Sequence, residues 1–321
     1  MLLIQPLPGI GDMVWHLPAI HAVAGRARGG QVSLLTKRRS LADRLLAADP
    51  AIGEVLWLDR QGRHGGLGGL WRLAGDLRRR SFDEVWLFHQ SARYALACWL
   101  AGIPRRVGFG FGMQRLWLSE PGLGAGDRRR HPIEKARLLL AAKGLPQSES
   151  EPVLPVADAL EARMQAALSG LARPWIALGI GSSEPDKQWG AARFARLAGH
   201  LPGTLFLVGG TNESGLAGEI VAASGNPRER LVRVTDRSID EVAALLAACD
   251  VYVGNDTGVL NLAAAVGTPA IGLFGASPPL THSARIQCVL PEQGDGEAGM
   301  AGIGVARVAA AVVKTLGKTE C

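Results

Sequence analysis

Short runs of aliphatic and β-branched residues alternate along this chain with longer stretches whose apolar positions recur every three or four residues. In the first half the short runs are Leu2 to Gln5, Gln31 to Leu35, Glu54 to Leu58, Glu84 to Phe88 and Arg106 to Phe109. The longer ones are Met13 to Ala27, Ser40 to Ala48, Leu67 to Arg79 and Ala92 to Ala101. Short apolar runs fit buried strands and the 3.6-residue period fits covering helices, so this alternation predicts a parallel α/β sheet. A further helix, Ile133 to Lys143, precedes "GLPQSESEPVLPV", Gly144 to Val156, a polar, proline-bearing stretch that reads as an interdomain linker.

The pattern then starts again. Strands are predicted at Trp175 to Gly179, Leu205 to Val208, Leu231 to Val234, Val251 to Gly254, Ala270 to Phe274 and Ile286 to Leu290. Helices are predicted near Ala191 to His200, Glu213 to Ala223, Ile239 to Ala248 and Val259 to Ala265, with a last one at Val305 to Leu316. The chain thus divides into two α/β domains, residues 1–150 and 151–321. In open parallel sheets ligands bind beyond the carboxyl ends of the strands, so the loops after strands are where chemistry is expected.

Composition narrows the class. With 47% hydrophobic and 20% charged residues among 321, the chain is a soluble globular protein. The longest apolar runs, such as Val305 to Val313, fall short of the ~20 residues of a membrane span, and Pro6, Pro8 and Asp12 interrupt any signal-peptide pattern. A cytoplasmic location follows as the expectation. Four scattered cysteines (Cys98, Cys249, Cys288, Cys321) without CxxC spacing read as buried free thiols rather than a disulfide framework or zinc site.

Charge is unevenly divided. Residues 1–150 carry 22 Lys+Arg against 12 Asp+Glu, a net of +10, whereas the remainder is −4. Basic clusters at Lys37-Arg38-Arg39, Arg78-Arg79-Arg80, Arg105-Arg106 and Arg128-Arg129-Arg130-His131 could face phosphates, anionic lipid or nucleic acid, or simply solvent. Six of the eight tryptophans lie in this basic half, mostly within strands or apolar helix faces, and read as core rather than as base-stacking platforms. No nucleic-acid partner is expected.

Three corners carry candidate chemistry. In "QPLPGIGDMVWHLPAI" Asp12 stands between the first strand and the first helix, where it is either an N-cap or a functional carboxylate. "GIGDMV" has Val14 where a dinucleotide-binding G-x-G-x-x-G needs its third glycine. In "ALGIGSSEPDKQWG" a strand runs into Gly179 to Ser183; these small residues, Ser182 and Ser183 included, let backbone N–H groups approach an anion, and Lys187 follows. In "VYVGNDTGVLNLAAAVGTPAIGLFG" a strand enters Asp256-Thr257-Gly258 and a helix starts there, which offers either a capped helix or a diphosphate site.

The last of these stretches resembles the strand-DTG-helix signature of the bacterial lipopolysaccharide heptosyltransferases, which use ADP-heptose. "GIGDMVWHLPAI", "AGIPRRVGFG", "HPIEKARLLLAAKGL" and "GSSEPDKQWG" are similar to the family's other landmarks, in the same order, so the resemblance spans nearly the whole chain. It implies the GT-B fold: two Rossmann-like parallel-sheet domains facing each other across a cleft, with the acceptor in the N-terminal domain and the nucleotide-sugar in the C-terminal one. By the same resemblance Asp12 takes the place of the general base, Lys187 contacts the donor diphosphate, and Asp256, Thr257 and Gly258 hold the nucleotide. The family usually has His three residues after the position of Gly258. Here that residue is Asn261, which can hydrogen-bond but not carry a proton near neutral pH, and this leaves the donor sugar open.

The implied reaction is an inverting sugar transfer from a nucleotide-sugar to an anionic, lipid-linked glycan at the cytoplasmic face of the inner membrane. No Asp-x-Asp occurs in the chain, so no metal and no separate cofactor are expected. Same-fold alternatives are an epimerase or a transferase with another donor; a nucleic-acid- or dinucleotide-binding protein is the alternative of another class.

Overall fold

The structure, a computed structural model, describes residues 1–145, 151–225, 228–279, 283–292 and 299–319. The chain forms two compact units, Met1–Pro152 and Val153–Cys321. Most of the expected linker, residues 146–150, lies outside the described residues. Its end does not behave as a linker: Leu154 is buried, and its N–H donates to the Ala265 carbonyl (3.0 Å), so the chain is already part of the second unit there.

Unit 1 runs β1 (Leu2–Ile4), α1 (Ile10–Ala24), β2 (Val32–Thr36), α2 (Ala42–Leu45), β3 (Ile52–Trp57), α3 (Gly66–Arg78), β4 (Glu84–Leu87), α4 (Ala92–Leu100), β5 (Arg105–Gly108) and α5 (Pro132–Ala142). All five strands are parallel, in the order β3-β2-β1-β4-β5. From β1 the chain first steps outward to β2 and β3, then returns across the sheet to β4 and β5. Because such crossovers are right-handed, the two directions of travel place α1 and α2 on one face and α3 and α4 on the other. Leu73 and Leu77 of α3 and Ala95 and Cys98 of α4 join Leu2, Ile4, Val85 and Leu87 in one buried cluster on the second face. On the first face α5 packs against α1.

Unit 2 runs α6 (Asp158–Leu168), β6 (Trp175–Gly179), α7 (Ala191–His200), β7 (Thr204–Val208), α8 (Ser214–Ala223), β8 (Leu231–Val234), α9 (Ile239–Ala248), β9 (Val251–Asn255), α10 (Gly258–Ala265), β10 (Ala270–Leu273), β11 (Ile286–Val289) and α11 (Val305–Thr319). Its parallel sheet has the order β11-β10-β9-β6-β7-β8, so the strand order reverses between β6 and β9, which puts a crevice beyond their carboxyl ends. Both units are therefore Rossmann-like, in agreement with the sequence reading. The one helix that periodicity does not predict is α6, because Leu168 is its sole buried residue and its other positions show no apolar stripe. It lies against α9, where Arg163 reaches Glu241 at 3.0 Å.

Two further expectations need correction. Helix α1 begins three residues earlier than its apolar pattern indicates, at Ile10 with Gly9 as N-cap, so Asp12 is the third residue of its first turn and not the cap. The tryptophans of the basic half are not uniformly core: Trp15 and Trp86 are buried, but Trp71 and Trp99 are exposed. Cys98 and Cys249 are buried free thiols, Cys288 is only half-buried, and Cys321 lies outside the described residues.

The switch point of unit 2 is built on small residues. A Cβ on Gly179 would lie 1.7 Å from the Tyr252 hydroxyl, and one on Gly254 would meet the Gly179 carbonyl at 2.6 Å, so the ends of β6 and β9 close up only because both are glycine. Gly179→Ala should overpack this seam at a cost of about 1–3 kcal/mol. The expected readout is a lower urea midpoint for the unfolding of unit 2 with that of unit 1 unchanged.

Candidate active site

In each unit the charged and polar residues singled out from sequence lie just beyond the carboxyl ends of the strands. Beyond β1, the Gly9 N–H donates to Asp12 Oδ2 at 3.1 Å, so one carboxylate oxygen reaches back over the open first turn of α1 while the side chain stays half-exposed. A buried polar network supports this turn. His16 Nδ1 lies 2.6 Å from the Asp12 carbonyl, a separation that requires the proton on Nδ1, and Gln5 Nε2 donates to the same carbonyl at 3.4 Å. Thr36 Oγ1 approaches Gln5 Oε1 at 3.5 Å. Burial pushes the His16 imidazole below its usual range, overriding the opposite pull of the Asp12 carbonyl and carboxylate, and leaves it neutral.

At the other strand ends of unit 1 the fold gathers cations around His89, of which the sequence marked only Lys37, as part of a basic cluster, and Lys135, within a family-like stretch. Lys37 follows β2, Arg60 follows β3, His89 follows β4 and Lys135 is on α5. His89 is pushed down to about 4, first by burial and then by the charges of Lys37, Lys135 and Arg60. Its Nδ1 accepts from the Ser91 N–H (3.0 Å), and Gln114 Nε2 donates to its carbonyl (2.6 Å), so the ring is held in place. Lys135 is almost fully buried with its ammonium 5.8 Å above the Phe109 ring, and burial lowers its pKa. Uncompensated cations around a neutral imidazole form a site prepared for an anion. The Arg128-Arg129-Arg130 run lies in and beside a short turn, Ala125–Arg129, where Arg130 pairs with Asp127 at 2.7 Å and Glu134 at 3.7 Å.

In unit 2 the structure brings Lys187, Asp256, Thr257 and Gly258 together. Lys187 Nζ is 3.0 Å from Glu184 Oε1 and 3.4 Å from Asp256 Oδ2, and Ser277 Oγ donates to the same Asp256 oxygen at 2.5 Å. Burial would lower the Lys187 pKa, but the hydrogen bond to Glu184 and the Asp256 charge outweigh it and the pKa is raised, so the ammonium is secure. Thr257 is the N-cap of α10 by its extended backbone, yet its side chain makes no capping bond, and Gly258 opens the helix. Ser182 Oγ is occupied locally, accepting from the Glu184 N–H at 3.1 Å and donating to the Glu184 carbonyl at 3.0 Å; Ser183 is half-exposed beside it. Asn261, one turn into α10, is buried with its Oδ1 unpartnered in the protein, so a donor supplied by a ligand would satisfy it.

Asn255 lies in the stretch singled out from sequence, at the entry to Asp256-Thr257-Gly258, but no role for it was read there. Its fully buried side chain donates to the Ile180 (2.9 Å) and Gly181 (3.2 Å) carbonyls and accepts from the Trp189 N–H (3.1 Å), tying the Gly-Ser-Lys loop to the end of β9.

Residues 70–290, more than two thirds of the chain, match glycosyltransferase family 9 (heptosyltransferase). The chain belongs to this family. It is 29% identical over 300 residues to lipopolysaccharide heptosyltransferase 2 of Salmonella typhimurium, covering 86% of this chain and 84% of that protein. Its fold superposes on the E. coli ADP-heptose lipopolysaccharide heptosyltransferase II with a TM-score of 0.80, at 23% identity and with 100% and 99% of the two chains covered. It also superposes on E. coli heptosyltransferase WaaC, solved with ADP-2-deoxy-2-fluoro heptose, with a TM-score of 0.74 at 16% identity and 98% coverage of each chain. This family-9 chain is therefore a glycosyltransferase of two Rossmann-like domains, the GT-B class, and the epimerase, dinucleotide-binding and nucleic-acid alternatives fall away.

The His89 environment has a consequence for stability. In the unfolded chain a histidine binds its proton near pH 6.5, in the folded unit only near 4, so between these values the unfolded state holds more protons. Unit 1 should accordingly lose stability as pH falls from about 6.5 to about 4, with no effect of this group above that window. His89→Gln should flatten this part of the melting temperature profile relative to wild type.

Proposed function

We propose that this family-9 enzyme transfers heptose from ADP-heptose to an anionic, lipid-linked lipopolysaccharide core acceptor by a single inverting displacement that needs no metal. The carrying observation is the cluster in unit 2, where Lys187 is held beside Asp256 two residues before the N-terminus of α10. A secured ammonium next to open backbone N–H groups suits a diphosphate whose negative charge grows as it leaves. Asp256, itself a carboxylate, serves better as the strut that aims Lys187 than as a direct phosphate ligand, and Glu184, the more exposed partner, is the one a diphosphate displaces.

In unit 1 Asp12 takes the proton from the acceptor hydroxyl as its oxygen forms the bond to the anomeric carbon. The electron pair of the breaking carbon–oxygen bond leaves with the β-phosphate of ADP. The His16 and Gln5 contacts to the Asp12 carbonyl hold the turn that carries the base. Lys37, Arg60 and Lys135 meet the acceptor's acidic groups. Asn261 supplies an amide in the donor pocket at the position where the family usually has histidine; its unpartnered oxygen fits a sugar or ribose hydroxyl and leaves ADP-heptose usable as donor.

Transfer from ADP-heptose to a deacylated core acceptor in a single-turnover assay tests this reading. Asp12→Ala should reduce the rate at least ~100-fold with ADP affinity nearly unchanged. Turnover within a few-fold of wild type would reduce Asp12 to a helix-terminus residue.

Lys187→Ala should weaken ADP binding at least ~10-fold by calorimetry, in line with loss of a charge-assisted contact. Wild-type activity should survive EDTA; its loss on chelation, with recovery on adding a divalent metal, would replace the lysine mechanism by a metal one.

A further inference from the structure

Six large apolar side chains of unit 1 are exposed among the described residues, and five of them lie on three adjacent segments. They are Leu67 (85% exposed) and Trp71 (65%) on α3, Trp99 (48%) on α4, and Met113 (64%) and Leu116 (58%) on the turn Gly112–Trp117. Helix α4 packs against α3 on one side and this turn on the other, so the segments form one continuous layer. Its inner side is the buried cluster over the sheet, and on its outer side these five side chains stay exposed. On α3 the positions of Leu67, Trp71 and Arg78 fall on one narrow stripe of the helix. Trp99 stacks on Trp117 with ring centroids 5.0 Å apart, and the Arg78 guanidinium donates to the Leu100 carbonyl, joining the ends of α3 and α4.

The polar residues of this layer are almost all of one sign. Helix α3 with the two residues after it, α4 and the turn carry six arginines (Arg72, Arg78, Arg79, Arg80, Arg93 and Arg115) and one carboxylate, Asp76. Asp76 is saturated: Arg63 binds both of its oxygens, and Arg79 and His64 take one each. These contacts hold it well below the usual carboxylate range, and it has nothing further to offer a cationic partner.

Arg79 is paired with Asp76 and Arg80 with Glu54 (3.6 Å), which leaves Arg72, Arg78, Arg93 and Arg115 without a carboxylate partner among the described residues. Exposed tryptophan, leucine and methionine beside such arginines is the composition of a face that inserts into the headgroup region of an anionic bilayer. A second copy of this chain fits poorly, because symmetric self-pairing would set six arginines against six with two carboxylates between them. A single-stranded nucleic acid wants aromatics lining a groove, whereas these stand on the outer surface of a helical layer. We propose that the layer of α3, α4 and residues 112–117 docks unit 1 on an anionic lipid membrane, an inference that rests on the lipid-linked acceptor proposed above and gives it a physical route to the enzyme.

Vesicle co-sedimentation tests it. Wild-type protein should bind vesicles of phosphatidylglycerol and phosphatidylethanolamine at least ten-fold more tightly than phosphatidylcholine vesicles, and raised salt should weaken this binding. Trp71→Ser with Leu116→Ser, and separately Arg72→Glu with Arg115→Glu, should each reduce it at least ten-fold, while Val313→Ser, an exposed apolar control in unit 2, should leave it unchanged. With a deacylated acceptor both double variants should retain wild-type kcat, which also shows that they fold. Absence of binding to anionic vesicles, wild-type binding by both double variants, or a wild-type dimer that both variants convert to monomer would overturn the proposal. Vesicle binding by an enzyme that transfers nothing from ADP-heptose would sink the donor assignment and leave the docking face standing.

Discussion

In unit 2 the Asn255 side chain ties the loop that carries Lys187 to the end of β9, and so joins the two segments of the proposed nucleotide-sugar site. It is fully buried, and its amide makes three hydrogen bonds, two to carbonyls of the loop after β6 and one from the Trp189 N–H. The Ile180 carbonyl and the Trp189 N–H would otherwise be buried without this partner, at roughly 1–3 kcal/mol apiece. Because the bonds cross from β9 to the loop carrying Ser182, Ser183 and Lys187, they fix where Lys187 begins its reach toward Asp256. The glycine seam at Gly179 and Gly254 makes that crossing short enough. Packing against Tyr252 sets the spacing, the amide sets the loop, and the loop sets the cation.

Unit 1 solves a related problem with different means. Its polar core under the first helical turn consists of neutral groups, Gln5, His16 and Thr36, converging on one peptide carbonyl. The ionised groups lie above this layer, at the ends of successive strands. A buried neutral imidazole supports a carboxylate-bearing turn without placing a second formal charge beneath it, which avoids the large desolvation cost of a buried ion. The same reasoning accounts for His89: among three cations it is stable only without its proton.

How much of this was legible in the sequence depends on whether the signal is local. The eleven strands of the described residues were, the central ones because parallel strands buried on both faces are near-continuous aliphatic runs, and the half-exposed edge strands β3, β8 and β11 because they keep apolar residues among their polar ones. Helix α6 was not, since its stability comes from its contact with α9 rather than from an apolar stripe of its own. The start of α1 was misplaced because Gly9, the N-cap, has no side chain to mark it, and the displacement changes Asp12 from a cap to the first-turn residue that accepts the Gly9 N–H. Lys187, Asp256, Thr257 and Gly258 were legible as two short motifs that the reversal of strand order brings together. The convergence of Lys37, Arg60 and Lys135 on His89 was not, because each belongs to a different segment and only the fold assembles them. The outward turn of Trp71 and Trp99 could not be read from pattern either, as their positions in apolar helices look like core until the helix that covers them proves to be absent.

The two units handle charge in opposite ways, and this bears on how each meets its ligand. In unit 2 the ammonium of Lys187 already has Glu184 and Asp256 for partners, so under the proposed assignment a diphosphate would gain only the difference between its own contacts and the carboxylate it displaces. Binding there must draw on backbone N–H groups and on shape, which act over a few ångströms and discriminate between donors of equal charge. In unit 1 Arg79 and Arg80 pair with Asp76 and Glu54, whereas Lys37, Arg60 and Lys135 near His89, and Arg72, Arg78, Arg93 and Arg115 on the outer layer of α3, α4 and residues 112–117, have no carboxylate partner among the described residues. Their field extends to about a Debye length, roughly 8 Å at physiological ionic strength, and favours any anionic surface that comes within it. Short-range recognition suits a small soluble nucleotide-sugar, and longer-range attraction suits an acceptor confined to a membrane plane. The net of +10 in residues 1–150 against −4 in the remainder is the sequence-level trace of that division.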